Sequence, residues 1–152
     1  VGAIEAKPGD SYAQITQAAD AQELLDWLRL QPLMIESECY QCVLTHAGIY
    51  PFWSLDEARA YAQEIASVLQ GNDFNSLMHQ MIGSEPSYWS NRLSGYDRYR
   101  FIINAFTRMR LCGQDRKLIL DKKAESNSSI NPPLPWFEFK NPSIQTKDIL
   151  FG

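Results

Sequence analysis

Apolar residues recur at helical spacing in four stretches of the chain and alternate or cluster at strand-like spacing in four others. Leu24, Leu25 and Leu28 follow Asp20, which stands three residues before Glu23 in a variant of the capping-box arrangement, so a helix is expected from Ala21 to Gln31, stopped by Pro32. Ser54 with Glu57 is a true capping box. Ala58, Tyr61, Ala62, Ile65, Val68 and Leu69 then repeat at i, i+3, i+4 and i+7, predicting an amphipathic helix over Ser54 to Gln70. A shorter helix is expected from Phe74 to Ile82, and a second long one from Asp97 to Cys112, closed by Gly113. Its apolar stripe is Ile102, Ala105, Phe106 and Met109, with Arg100, Asn104 and Arg108 aligned on another face.

Strand signals fall between these helices. Leu33 to Glu36, the polar pair Ser37-Glu38 and then Cys39 to Thr45 predict a hairpin. Its second arm delivers His46 at the carboxyl end, ahead of Ala47-Gly48. Lys117 to Asp121 and Asp148 to Phe151 read as further strands, the last a buried one; residues 1–19, Gly83 to Leu93 and 122–133 read as loops. The interleaving of helices and strands gives an α/β class.

Composition narrows the function classes. The 152 residues suffice for one domain, read here as 1–152, and no apolar run is long enough to cross a bilayer. A net charge of −4, from 14 basic and 18 acidic residues, argues against a nucleic-acid duplex as partner. Three cysteines do not form the even framework of a small secreted domain, so a reducing, cytoplasmic setting is expected. Val1 is not an initiator Met, and Gly152 directly follows an expected strand; the chain reads as trimmed.

His46 is the leading candidate for chemistry, because an imidazole on a strand end can ligate a metal; the alternative is a strand-end His satisfied by a backbone carbonyl. Arg98, Arg100, Arg108 and Arg110, around Asn104 and Thr107, could hold a polyphosphate through guanidinium forks, or form a face paired with carboxylates. Cys39 and Cys42 make a C-x-x-C near His46. Their odd separation on a strand would split the thiols between faces, which favours ordinary buried cysteines over a zinc module. Trp53, Trp89 and Trp136 suit either core anchoring or base stacking. His79, beside Met78 and Met81, reads as structural. There is no Walker loop, G-x-G-x-x-G or H-E-x-x-H, and no catalytic nucleophile is assigned.

The segment Val43-Leu44-Thr45-His46-Ala47-Gly48-Ile49, with Pro51 and Trp53, resembles the His-Ala-Gly element of symmetrical diadenosine tetraphosphatases. Tyr88-Trp89-Ser90, Leu93, Gly95 and Arg98 to Cys112 are similar to that family's most distinctive stretch. Leu24 to Leu33 and Pro133 to Phe137 extend the resemblance over essentially the whole chain.

The resemblance implies a calcineurin-like metallophosphoesterase α/β sandwich, of which this portion would be a helical cap (roughly 50–112) plus strands of one sheet. It implies an enzyme that cleaves diadenosine tetraphosphate into two ADP at a centre of two divalent ions, Mn, Co or Mg. His46 matches a metal ligand of that family, and Arg98, Arg100, Asn104, Arg108 and Arg110 become candidates for the substrate-binding surface. The family's G-D-x-H-G, G-D-x-x-x-R-G and G-N-H-D motifs would precede Val1, and a last His would follow Gly152, so the chain as it stands is expected to be inactive. The alternative is a non-catalytic nucleotide-binding or interaction module.

Overall fold

A computed structural model describes residues 12–120, 131–141, 144 and 147–152. In chain order the elements are helix α1 (Tyr12–Thr16), helix α2 (Ala21–Arg29), strands β1 (Met34–Ser37) and β2 (Cys42–Thr45), helices α3 (Leu55–Gln70), α4 (Phe74–Gln80) and α5 (Gly95–Thr107), and strands β3 (Leu111–Cys112), β4 (Leu118–Ile119), β5 (Leu134–Pro135) and β6 (Asp148–Phe151). The expected α/β class holds. Among the described residues, however, the strands make two three-stranded sheets, β1-β2-β6 and β4-β3-β5.

The capping box forms as expected: the Glu57 amide donates to Ser54 Oγ at 3.1 Å and the Ser54 amide donates to Glu57 Oε2 at 2.8 Å. Leu55, Ala58, Tyr61, Ala62 and Ile65 are buried along α3. Helix α2 starts at the expected residue, but the Asp20 side chain makes no capping bond. The backbone there, at φ −103° and ψ 15°, departs from the extended conformation that aims a cap side chain at the N2 and N3 amides. Leu24, Trp27 and Leu28 of α2 stay exposed. What ties α2 to the body is Arg29, whose Nε donates to the Leu69 carbonyl at 2.9 Å and whose guanidinium lies over the Phe74 ring. It thereby satisfies carbonyls that the end of α3 leaves without intrahelical partners. Residues 12–16, read as loop, are the short helix α1; residues 1–11 lie outside those described.

Helix α5 is shorter than its periodicity predicts. It ends at Thr107, and Leu111–Cys112 is a strand flanked by β4 and β5. Residues beyond Thr107 exchange local helical bonds for ladders on both sides, which a single-sequence pattern does not register. The body of α5 carries more than a stripe: Phe101 to Phe106 are all buried, so its middle runs through the core. Around it pack Tyr50, Trp53, Tyr61 and Trp89, with Trp53 in edge contact with Tyr50 at 5.3 Å and with Trp89 at 5.0 Å.

The hairpin forms with a wider turn than expected. β1 and β2 pair antiparallel from Met34↔Thr45 to Ser37↔Cys42, and Gln41 takes a positive φ of 51° in the turn. Cys39 therefore sits exposed in that turn, contrary to the buried strand position expected, whereas Cys42 and Cys112 are buried. β6 joins β2 in parallel, Cys42↔Asp148 to Thr45↔Phe151. It is not the buried strand expected: Asp148, Leu150 and Phe151 are exposed. Ile35, Leu44 and Leu150 are register partners in a row across this sheet and are 51%, 40% and 51% exposed, an apolar row facing outward. Strand β4 is Leu118–Ile119, and the rest of the loop read at 122–133, up to residue 130, lies outside the described residues.

Candidate functional site

Antiparallel pairing to β1 and parallel pairing to β6 hold β2 on both sides, and His46 follows its last residue. The backbone on each side of the imidazole is pinned. The Gly152 amide donates to the His46 carbonyl at 3.1 Å, and the Ala47 amide donates to the Phe106 carbonyl at 2.8 Å, tying the turn to the end of α5. His46 is exposed, and its imidazole has no hydrogen-bond partner among the described residues. The carbonyl-satisfied reading of His46 therefore finds no partner among those residues.

Gly48 is the residue that lets the turn close. Its φ is +143°, and an added Cβ would lie 2.6 Å from Trp136 Cζ2 and 2.7 Å from Trp136 Nε1, and closer still to Cε2. The indole occupies the space a side chain would need. Trp136 is 5% exposed and its amide donates to the Arg110 carbonyl at 3.2 Å. A backbone bond thus runs from the Pro-Trp-Phe segment to the strand after α5, and packing runs from there to the His46 turn. Spacing along the chain marks both the His-Ala-Gly and the Pro-Trp-Phe elements without joining them. The signal in the sequence is a Gly two residues after the candidate ligand, a residue type that admits close approach by something bulky. Beside the turn, Thr45 Oγ1 is buried without a hydrogen-bond partner among the described residues.

The arginine set divides by what each guanidinium already holds. Arg98 donates to both Glu64 oxygens, from Nε at 2.7 Å and from Nη2 at 2.9 Å, and lies over the Tyr61 and Trp89 rings at 4.9 Å each. Arg100 donates from Nε to the Gln80 carbonyl at 2.8 Å, and from Nη1 to the Glu85 carbonyl at 2.9 Å and to Asp97 at 3.0 Å. Asn104, 1% exposed, donates to the Gly83 carbonyl at 3.0 Å and accepts from Arg108 Nη1, also at 3.0 Å. Arg108 Nη1 reaches the same Gly83 carbonyl at 2.9 Å. The polar face of α5 thus clamps the loop at 80–85. Arg110 is exposed and its side chain has no bonded partner among the described residues. Arg108 and Arg110 follow Phe106, and so lie on the chain between its bond to Ala47 and the Arg110 bond to Trp136.

Trp53 and Trp136 are buried anchors and Trp89 is half-buried against Arg98. His79 is exposed on α4. Burial pushes the Cys112 thiol up to about 12, which removes it as a nucleophile near neutral pH. Among the described residues no three His, Cys, Asp or Glu side chains converge to hold an ion. The zinc arrangement of Cys39, Cys42 and His46 accordingly does not assemble. For a divalent metal, His46 fits as one imidazole donor on a fixed strand end, but the described residues do not make a full ligand set.

Comparison with known proteins adds the decisive observation. A protein from Mannheimia succiniciproducens named symmetrical bis(5'-nucleosyl)-tetraphosphatase is 42% identical over 151 residues, 99% of this chain. The chain is homologous throughout to the symmetrical bis(5'-nucleosyl)-tetraphosphatases. Two more proteins of that name, from Actinobacillus succinogenes and Coxiella burnetii, are each 40% identical, over 99% and 95% of the chain. The chain spans about half the length of these tetraphosphatases: 55% of the first two and 51% of the third. No protein-family model matches it. Among the described residues no helix is long and apolar enough to cross a membrane.

Proposed function

We propose that the protein hydrolyses dinucleoside tetraphosphates symmetrically, diadenosine tetraphosphate giving two ADP, with two divalent ions (Mn, Co or Mg) as cofactors. The observation that carries this is identity of 40–42% along essentially the whole chain to relatives bearing that activity in their names. His46 serves as one metal ligand. Its exposed imidazole, without a partner among the described residues, on a strand end braced by three elements, supports the role. The remaining ligands come from outside the described residues. A bound divalent ion in such a site makes hydroxide available near neutral pH and stabilises charge on phosphate oxygens.

The helical region around 50–112 acts as the cap beside the nucleotide, with the basic end of α5 toward the polyphosphate. Arg108 and Arg110 retain donors for phosphate oxygens; Arg98, Arg100 and Asn104 shape that end by holding α3 and the loop at 80–85 in place. Unbridged Cys39, Cys42 and Cys112 suit a reducing, cytoplasmic compartment.

The test is product analysis by anion-exchange chromatography on the full-length protein, with a divalent ion added and then chelated. Symmetrical cleavage gives ADP alone. His46→Ala should lower kcat by roughly two orders of magnitude or more with an unchanged circular-dichroism spectrum. ATP plus AMP as products would overturn the symmetrical reaction, and wild-type turnover in His46→Ala would remove His46 from the metal site.

A further inference from the structure

Beside the His46 turn, two phenyl rings stand in the open. Phe137 and Phe151 have centroids 5.7 Å apart and planes 22° from parallel, and they are 57% and 48% exposed. Trp136 braces both edge-on, at 5.8 Å and 5.0 Å, and is itself locked against Gly48. The pair is therefore held by ring contacts, although among the described residues a large part of its apolar area is uncovered. It is also adjacent to the candidate ligand: Phe151 is the parallel register partner of Thr45, and the next residue, Gly152, donates to the His46 carbonyl.

The rings border a depression of about 400 Å³ that also includes Lys140 and Lys147. Lys147 is committed to Glu36 and Glu38, at 3.1 Å and 2.7 Å. Lys140 is exposed and has no carboxylate partner among the described residues, so it leaves positive charge on the same depression.

We infer that the Phe137–Phe151 pair is the seat of one purine base of the substrate, with Lys140 providing charge complementary to the attached phosphates. Pre-positioned aromatic rings take up a base by stacking at little entropic cost, because the side chains are already ordered. The nearness of His46 matters, since the base and the phosphate chain of one nucleotide must be held at the same time. This inference rests on the dinucleoside-tetraphosphatase reading, and it adds the surface that recognises the nucleoside end. Trp53, Trp89 and Trp136 do not meet the need, because their rings are committed to interior packing.

The deciding experiment is a titration of the full-length protein, labelled at phenylalanine rings for NMR, with AMP and separately with ribose 5-phosphate. Phe137 ring resonances should shift saturably with AMP. Phe137→Ala should weaken AMP binding roughly tenfold, Phe137→Trp should keep it, and ribose 5-phosphate binding should be the same in all three. In turnover, Phe137→Ala should raise KM for the dinucleoside tetraphosphate without raising it for inorganic tetraphosphate. Absence of an AMP-dependent shift overturns the inference, and so does equal weakening of AMP and ribose 5-phosphate, which marks a structural role. The titration needs no turnover. A protein that binds AMP on this pair but hydrolyses no dinucleotide would refute the proposed reaction and leave the base seat standing.

Discussion

Replacing Gly48 by Ala tests the connection between the His46 turn and the Pro-Trp-Phe segment. Two costs add. A non-glycine residue at φ +143° is held in a sparsely populated region, at about 1–3 kcal/mol. The new methyl would also sit well inside contact distance of three indole atoms, and forcing extra volume into a packed site costs about 1–3 kcal/mol more. Trp136 cannot simply swing aside: its amide is bonded to Arg110 and its ring is flanked by Phe137 and Phe151. The expected loss is about 2–6 kcal/mol, a large share of a small domain's stability. Urea unfolding followed by tryptophan fluorescence reads it as a lower midpoint at similar slope. Adding Trp136→Leu should return the overpacking part alone, so the double variant should be less destabilised than the sum of the singles by about 1 kcal/mol or more. A single-variant loss below ~0.5 kcal/mol, or strict additivity of the pair, would refute the reasoning.

Two further predictions concern charge and burial. Glu36 accepts from Arg59 and from Lys147, and the Arg59 guanidinium foremost holds its carboxyl down at about 2. Because this value lies below the unfolded one, the stabilisation is complete above the unfolded pKa and is lost as pH falls through 4 towards 2. With Arg59 half exposed the contribution is about 1 kcal/mol, so wild type should exceed Glu36→Gln by that amount at pH 6 and by nothing near pH 2; a pH-independent gap in denaturant melts would contradict it. Thr45→Val removes a buried hydroxyl that lacks a partner among the described residues and should stabilise the fold by about 1 kcal/mol, read as a raised Tm; a drop of similar size would mean that the hydroxyl is bonded in the folded protein.

Local chemistry made part of this protein legible. Ser54 and Glu57 announce the start of α3 because both halves of the cap are contained within four residues. The hairpin arms are visible for the same reason, and His46 stands out as a polar residue placed by β2 ahead of a glycine. The carboxyl end of α5 is ambiguous in the sequence, since Met109 to Cys112 fit a helical pattern as well as a strand one. Leu118 and Leu134, the register partners of Cys112, decided between them. Helix α2 shows the converse. Its leucine spacing is real, but Leu24 and Leu28 are not buried.

The sequence by itself determined the starts of α2, α3 and α4, the strand that ends at His46, the α/β class and the resemblance to a family, because each depends on residue types at short, fixed spacing. Only the tertiary structure decided which basic groups remain available. Arg98 is distinguished from Arg110 by Glu64, thirty-four positions earlier in the chain, and by rings from two other segments. Likewise Gly48 meets Trp136, and Phe137 meets Phe151, through contacts that spacing along the chain does not encode. Hydrophobic burial is non-directional, so pattern fixes which face of an element seeks a partner, and the packed whole fixes which partner it finds.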